Sequence, residues 1–153
     1  MPLNLPYTQG ILVSPYKHDL YGKIENYIQQ NTLESDTIVF TGINRYFSIF
    51  SGRHDVFRDN VLTFTMAAFY PPLRRYPIPE SPEFEKEIVL KMKTAKPKLV
   101  LFPEVFRKLV EPEDSLFVAY IEQNWQVVTR IGNDSLKNPY EVESPVLIYK
   151  MKP

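Results

Sequence analysis

Apolar residues recur along this chain in two periods. Leu20, Tyr21, Ile24, Tyr27 and Ile28 fall at helical spacing, with Lys23, Glu25, Gln29 and Gln30 on the opposite side, which predicts an amphipathic helix with Asp19 as its N-cap. TLESD (32–36) breaks it, and the β-branched and aromatic run Thr37–Thr41 predicts a buried strand ending at Gly42. Ile43, Tyr46, Phe47 and Phe50 then repeat at i, i+3, i+4 and i+7, a short helix stopping at Gly52. Strand, glycine, helix in that order make Gly42 the expected tight turn.

A second unit of the same kind follows. Phe84, Ile88 and Met92 mark a helix opened by Ser81-Pro82 and closed before Pro97, and Leu99–Phe102 form the next strand. A third helix starts near Asp114-Ser115, with Leu116, Phe117, Tyr120 and Ile121 on one face, and ends near Asn124. Gln126–Ile131 and Val146–Met151 are the last strands, separated by a polar loop that suits an antiparallel pair. The stretch 61–70 is ambiguous between strand and helix. The segment PPLRRYPIPESP (71–82) holds five prolines in twelve residues and reads as a stiff, extended surface loop.

Helices alternating with short apolar strands give an α/β fold: a single three-layer domain over 1–153, with a central, partly parallel sheet and a C-terminal antiparallel strand pair. A chain of 153 residues buries about two-thirds of its unfolded surface, enough for one core. Composition narrows function mainly by exclusion. Eighteen basic and eighteen acidic residues give zero formal net charge, so the bulk electrostatic footprint of a nucleic-acid binder is missing and no nucleic-acid partner is expected. Cysteine is absent, which removes disulfides, thiolate catalysis and thiol-ligated metals. No apolar run approaches the roughly 20 residues of a bilayer span, and the N-terminus has no signal-peptide pattern.

Candidate chemistry is sparse. His18 and His54 are the only histidines and lie in no ligand motif, so no metal is expected. Arg53-His54-Asp55 resembles catalytic equipment, but adjacent residues of an extended segment face opposite ways, and a solvated turn explains them better. The carboxylates Glu83, Glu85 and Glu87, and Glu111, Glu113 and Asp114, sit where helices begin and favour the positive end of the dipole. Glu141 and Glu143 form a third pair. No GxxxxGKS/T, GxGxxG or GxSxG occurs, so neither a phosphate-cradling loop nor a nucleophile elbow is signalled and no cofactor is expected. Tyr21, Tyr27, Tyr46 and Phe47 read as core. Tyr70, Arg74, Arg75 and Tyr76 border or lie in the proline-rich loop and point to an interface with a phospholipid surface or another domain.

The order of segments also resembles a known family. Tyr27-Ile28-Gln29-Gln30-Asn31-Thr32 at a helix end, Asp36-Thr37-Ile38 opening a strand and Phe47–Arg53 closing an aromatic helix come first. Lys96-Pro97-Lys98-Leu99-Val100 and Ile121–Val128 follow, the latter with Trp125 where tyrosine is more usual. This series is similar to the C-terminal soluble region of bacterial GT-C-type membrane glycosyltransferases, relatives of the dolichyl-phosphate-mannose protein mannosyltransferases and the aminoarabinose transferases. The resemblance implies an extracytoplasmic domain above a membrane-embedded active site that uses a polyprenyl-phosphate-linked sugar. The catalytic carboxylates of such enzymes lie in an early loop with no counterpart here. The implied role is a non-catalytic accessory domain. Its partners would be the membrane portion of the same parent protein and the lipid-linked sugar or acceptor, with residues 1–11 as an extended linker. Tyr46, Arg53, Arg74 and Arg75 are the residues expected to bind.

Two other readings stand beside it. A free-standing, cytoplasmic α/β enzyme or nucleotide- or sugar-phosphate-binding protein would carry a pocket near Gly42 and Pro103, at the carboxyl ends of parallel strands. A protein-binding module would work through residues 71–82.

Overall fold

The computed structural model describes residues 15–41, 51–57, 81–108, 112, 115–132 and 144–153, and all structural statements concern these. Helix α1 spans Pro15–Asn31. It starts earlier than the apolar pattern suggests, so Asp19 lies inside the helix and is not its N-cap. The Asp19 carboxylate instead pairs with Lys23 one turn on, at 2.7 Å. Leu20, Tyr21, Ile24 and Ile28 form the buried face. At its C-terminus the Asn31 amide donates to the Tyr27 carbonyl (2.9 Å) and the Thr32 hydroxyl to the Ile28 carbonyl (2.6 Å), which satisfies acceptors that the last turn leaves open. A tight turn follows, in which the Leu33 amide donates to the Asp36 carboxylate at 2.7 Å.

Strand β1 (Thr37–Phe40) and strand β2 (His54–Asp55) run parallel, as do β1 and β3 (Leu99–Pro103). Helix α2 (Ser81–Ala95) precedes β3, and the four-residue helix α3 (Glu104–Arg107) follows it directly. Helix α4 (Leu116–Asn124) leads into β4 (Trp125–Ile131), and β5 (Val146–Met151) closes the described chain. The sheet order is β2-β1-β3-β5-β4, with β5 antiparallel to both β3 and β4. The partly parallel sheet and the C-terminal antiparallel pair are therefore as the sequence pattern requires.

Three layers follow from strand alternation. Ile38, Phe40, Leu99, Leu101, Val146 and Ile148 pack with α1, while Val39, Val100, Phe102 and Tyr149 pack with α2 and α4. Burial on both faces explains why β1 and β3 read as unbroken apolar runs and not as alternating ones. In β4 a bulge between Val127 and Thr129 inserts one residue. That extra residue reverses the parity of the strand, so Trp125 joins the α2/α4 core while Ile131 packs on the α1 side.

The predicted helices at 81–95 and 116–124 are present, but the buried face of α4 is Phe117, Val118 and Ile121, with Leu116 46% exposed. The apolar stripe is thus turned by part of a residue step from the one read from the sequence, because α4 packs against α2 and the sheet together. Ser115 is the N-cap of α4 and accepts from the Val118 amide at 3.2 Å. The expected helix 43–50, the turn at Gly42, the ambiguous stretch 61–70 and the loop 71–80 lie outside the described residues.

Candidate functional site

Arg53 is the one expected binding residue among the described residues; Tyr46, Arg74 and Arg75 lie outside them. Gly52, with a positive φ of 66°, turns the chain into the extended segment that becomes β2. From there the Arg53 guanidinium reaches back to the end of α1. Its Nε donates to the Thr32 hydroxyl at 2.8 Å, one terminal nitrogen to the Thr32 carbonyl at 3.0 Å and the other to the Ser51 carbonyl at 3.0 Å. A cation at this position also complements the negative end of the α1 dipole. The planar fork is thereby committed to tying β2 to the α1–β1 turn.

The next two residues face opposite ways, as extended backbone requires. The His54 side chain is exposed and hydrogen-bonds to no described residue, whereas Asp55 is buried and accepts from the Phe57 amide at 2.9 Å. They do not form an acid–base pair. Both line an open groove of about 560 Å³ between the start of β1, β2 and the last turns of α2. Most of its polar lining is already engaged locally. Thr94 donates to the Leu90 carbonyl (2.9 Å), Thr37 to the Ala95 carbonyl (3.4 Å), and Lys91 pairs with Glu87 (3.5 Å). This groove opens at the amino ends of the parallel strands, opposite to the end where open α/β sheets usually hold ligands. At the carboxyl end of β3, Pro103 is buried and α3 begins at the next residue, its Glu104 amide donating to the Pro145 carbonyl at 2.8 Å.

Two further clusters bind elements together. Glu104 sits between Arg130 of β4 and Lys108, and the Arg130 hydrogen bond holds its carboxyl below the ordinary range against the opposing effect of burial. Arg107 pairs with Glu122 of α4 at 2.8 Å, and the Glu122 carboxylate also approaches the Tyr149 hydroxyl at 3.5 Å. Burial, and then that carboxylate, raise the Tyr149 phenol above its usual value. On the other side of α4, Glu85 accepts from the Ser115 hydroxyl (2.6 Å) and the Leu116 amide (2.8 Å). Its place in the first turns of α2 suggested a dipole partner for its own helix. The side chain instead caps the N-terminus of α4, a tertiary partner that no local spacing announces.

Among the described residues, no three His, Asp or Glu side chains converge on a metal-sized site, and no helix is long and apolar enough to cross a membrane. No family model, curated protein or solved structure matches this chain. The reading of the site therefore rests on its own geometry. Glu83 contributes nothing described beyond its helix position, and Glu111, Glu113, Asp114, Glu141 and Glu143 lie outside the described residues. Sequence reasoning missed the joint between Arg53 and Thr32. The signal available was an arginine directly after a glycine turn, next to a threonine ending a helix, and neither residue alone indicates the other.

Proposed function

We propose that this chain is a non-catalytic accessory domain of a membrane glycosyltransferase that draws its sugar from a polyprenyl phosphate. In this role it stands on the extracytoplasmic face and caps the membrane-embedded active site. One observation carries the reading. Three of the five segments that give the sequence its family-like order have end residues that meet in space. Thr32, which ends the first segment, is held by Arg53, which ends the third, and Asp36, which begins the second, closes the turn between them. Residues that fix how α1, β1 and β2 join are what a common architecture would keep in place without common chemistry. The commitment of Arg53, Glu85, Glu104 and Arg107 to such joints fits a supporting role.

The test is in two parts. Purified protein, given polyprenyl-phosphate-linked sugars and an acceptor, should neither transfer nor release sugar, and the reading frame that encodes it should also encode several apolar spans. Turnover by the purified chain that His54→Ala abolishes would overturn the proposal, as would a reading frame without such spans.

A further inference from the structure

The charges of this chain sum to zero, but four lysines gather at one end of the sheet. Lys96 and Lys98 flank the turn into β3, and Lys150 and Lys152 lie at the far end of β5. Because β3 and β5 are antiparallel, with Val100 opposite Tyr149, the start of one and the finish of the other share an end of the sheet. The turn between α1 and β1 is at that end too, since the Lys98 amide donates to the Thr37 carbonyl at 2.7 Å. It adds Glu34 and Asp36, and the Asp36 carboxylate is already bonded to the Leu33 amide. Lys150 reaches Asn31 at 3.3 Å, and Lys152 donates to the carbonyls of Glu122 and Gln123 at the end of α4, so both charges are fixed there. Lys96 and Lys98 are exposed and pair with no described carboxylate.

Large apolar side chains project at the same end. Leu33 is 71% exposed in the α1–β1 turn, and Met151 is 47% exposed, opposite Trp125 where β4 begins. Exposed leucine and methionine among unpaired lysines fit an interface with one polar, anionic layer and one apolar layer beneath it. Nucleic acid offers the charge without the apolar layer.

We infer that this end of the sheet, carrying Lys96, Lys98, Leu33 and Met151, rests on an anionic phospholipid surface. The inference takes from the proposed function only that a bilayer is near, and it specifies which end of the domain faces the bilayer. Lysines supply salt-sensitive attraction to the headgroups, and Leu33 and Met151 enter the boundary with the acyl chains.

The experiment is co-sedimentation of the full chain with phosphatidylcholine vesicles, with and without phosphatidylglycerol. Binding should need phosphatidylglycerol and should weaken as salt rises. The Lys96→Glu/Lys98→Glu variant should lose at least about tenfold in binding, because each lysine near an anionic surface contributes about 1 kcal/mol. Leu33→Asp should lose severalfold, while Lys23→Glu/Lys86→Glu, with the same change in net charge at other exposed positions, should bind nearly as the parent does. Thermal melts confirm that each variant is folded. No binding to anionic vesicles, equal loss in both double variants, or tighter retention on DNA than on vesicles would overturn the inference. None of these outcomes bears on sugar transfer or on the encoded spans, so the two proposals fail separately.

Discussion

Replacing Arg53 with methionine removes a guanidinium but keeps an unbranched side chain of similar reach. Three hydrogen bonds go, to the Thr32 hydroxyl, the Thr32 carbonyl and the Ser51 carbonyl, at 2.8, 3.0 and 3.0 Å. A hydrogen bond with one charged partner nets about 1.5–3 kcal/mol, and three made by one half-buried group do not add. Water reaches part of the joint and offsets part of the loss, which puts the cost at about 2–4 kcal/mol. In a chain of this length each kcal/mol moves Tm by about 2–4 °C, so the midpoint should fall by roughly 4–16 °C. The urea midpoint should fall with an unchanged slope. Arg53→Lys should recover little, because an ammonium cannot span three acceptors set in the plane of a fork. Thr32→Val removes the hydroxyl that Arg53 grips and that itself holds the Ile28 carbonyl at 2.6 Å, so the double variant should be less destabilised than the two singles summed. An Arg53→Met protein melting within about 1 °C of the parent would refute the structural role and return Arg53 to the binding residues.

Three other outcomes follow from local geometry. Glu85→Ala should cost about 1–3 kcal/mol by unseating Ser115 and baring the Leu116 amide at the start of α4, and Ser115→Ala should cost less, both read by urea melts. Gly132→Ala should be strongly destabilising. Its φ is 128°, and an added Cβ would lie 2.7 Å from the Pro145 backbone, so amide exchange in β4 and β5 should accelerate. Glu104 has a lowered folded-state pKa, so it stabilises the fold fully above the ordinary carboxylate range and loses that contribution as pH falls through its folded value. Glu104→Gln should therefore be less stable near neutrality and show a flatter acid limb; parallel acid limbs would contradict the assignment.

What the sequence made legible is what period and composition encode. β1 and β3 are apolar because both their faces are buried, and α1 and α2 show stripes because one face of each is buried. β2 escaped notice because it is only His54 and Asp55, paired to β1 through the backbone, with one side chain exposed and one buried. α3 is four residues long, too short to show a period. The core face of α4 was misjudged at Leu116 because orientation within an apolar helix is decided by the packing neighbours and not by the helix itself.

The polar residues divide on the same physical ground. A carboxylate at a helix start reads as a dipole partner, and Glu87 indeed stays local in an i, i+4 pair with Lys91. Glu85, two residues earlier, is buried and must find a partner, and the one it finds is thirty residues away at Ser115. Burial is what turns a local charge into a tertiary joint, because an unpaired polar group is costly only where water is excluded. Arg53 and Thr32 follow the same rule 21 residues apart. If the segments holding Thr32, Asp36 and Arg53 carry a family-like order, the natural cause is that they form one such joint. Substitutions within it should then change stability first, and change any contact with sugar, lipid or partner only through the fold.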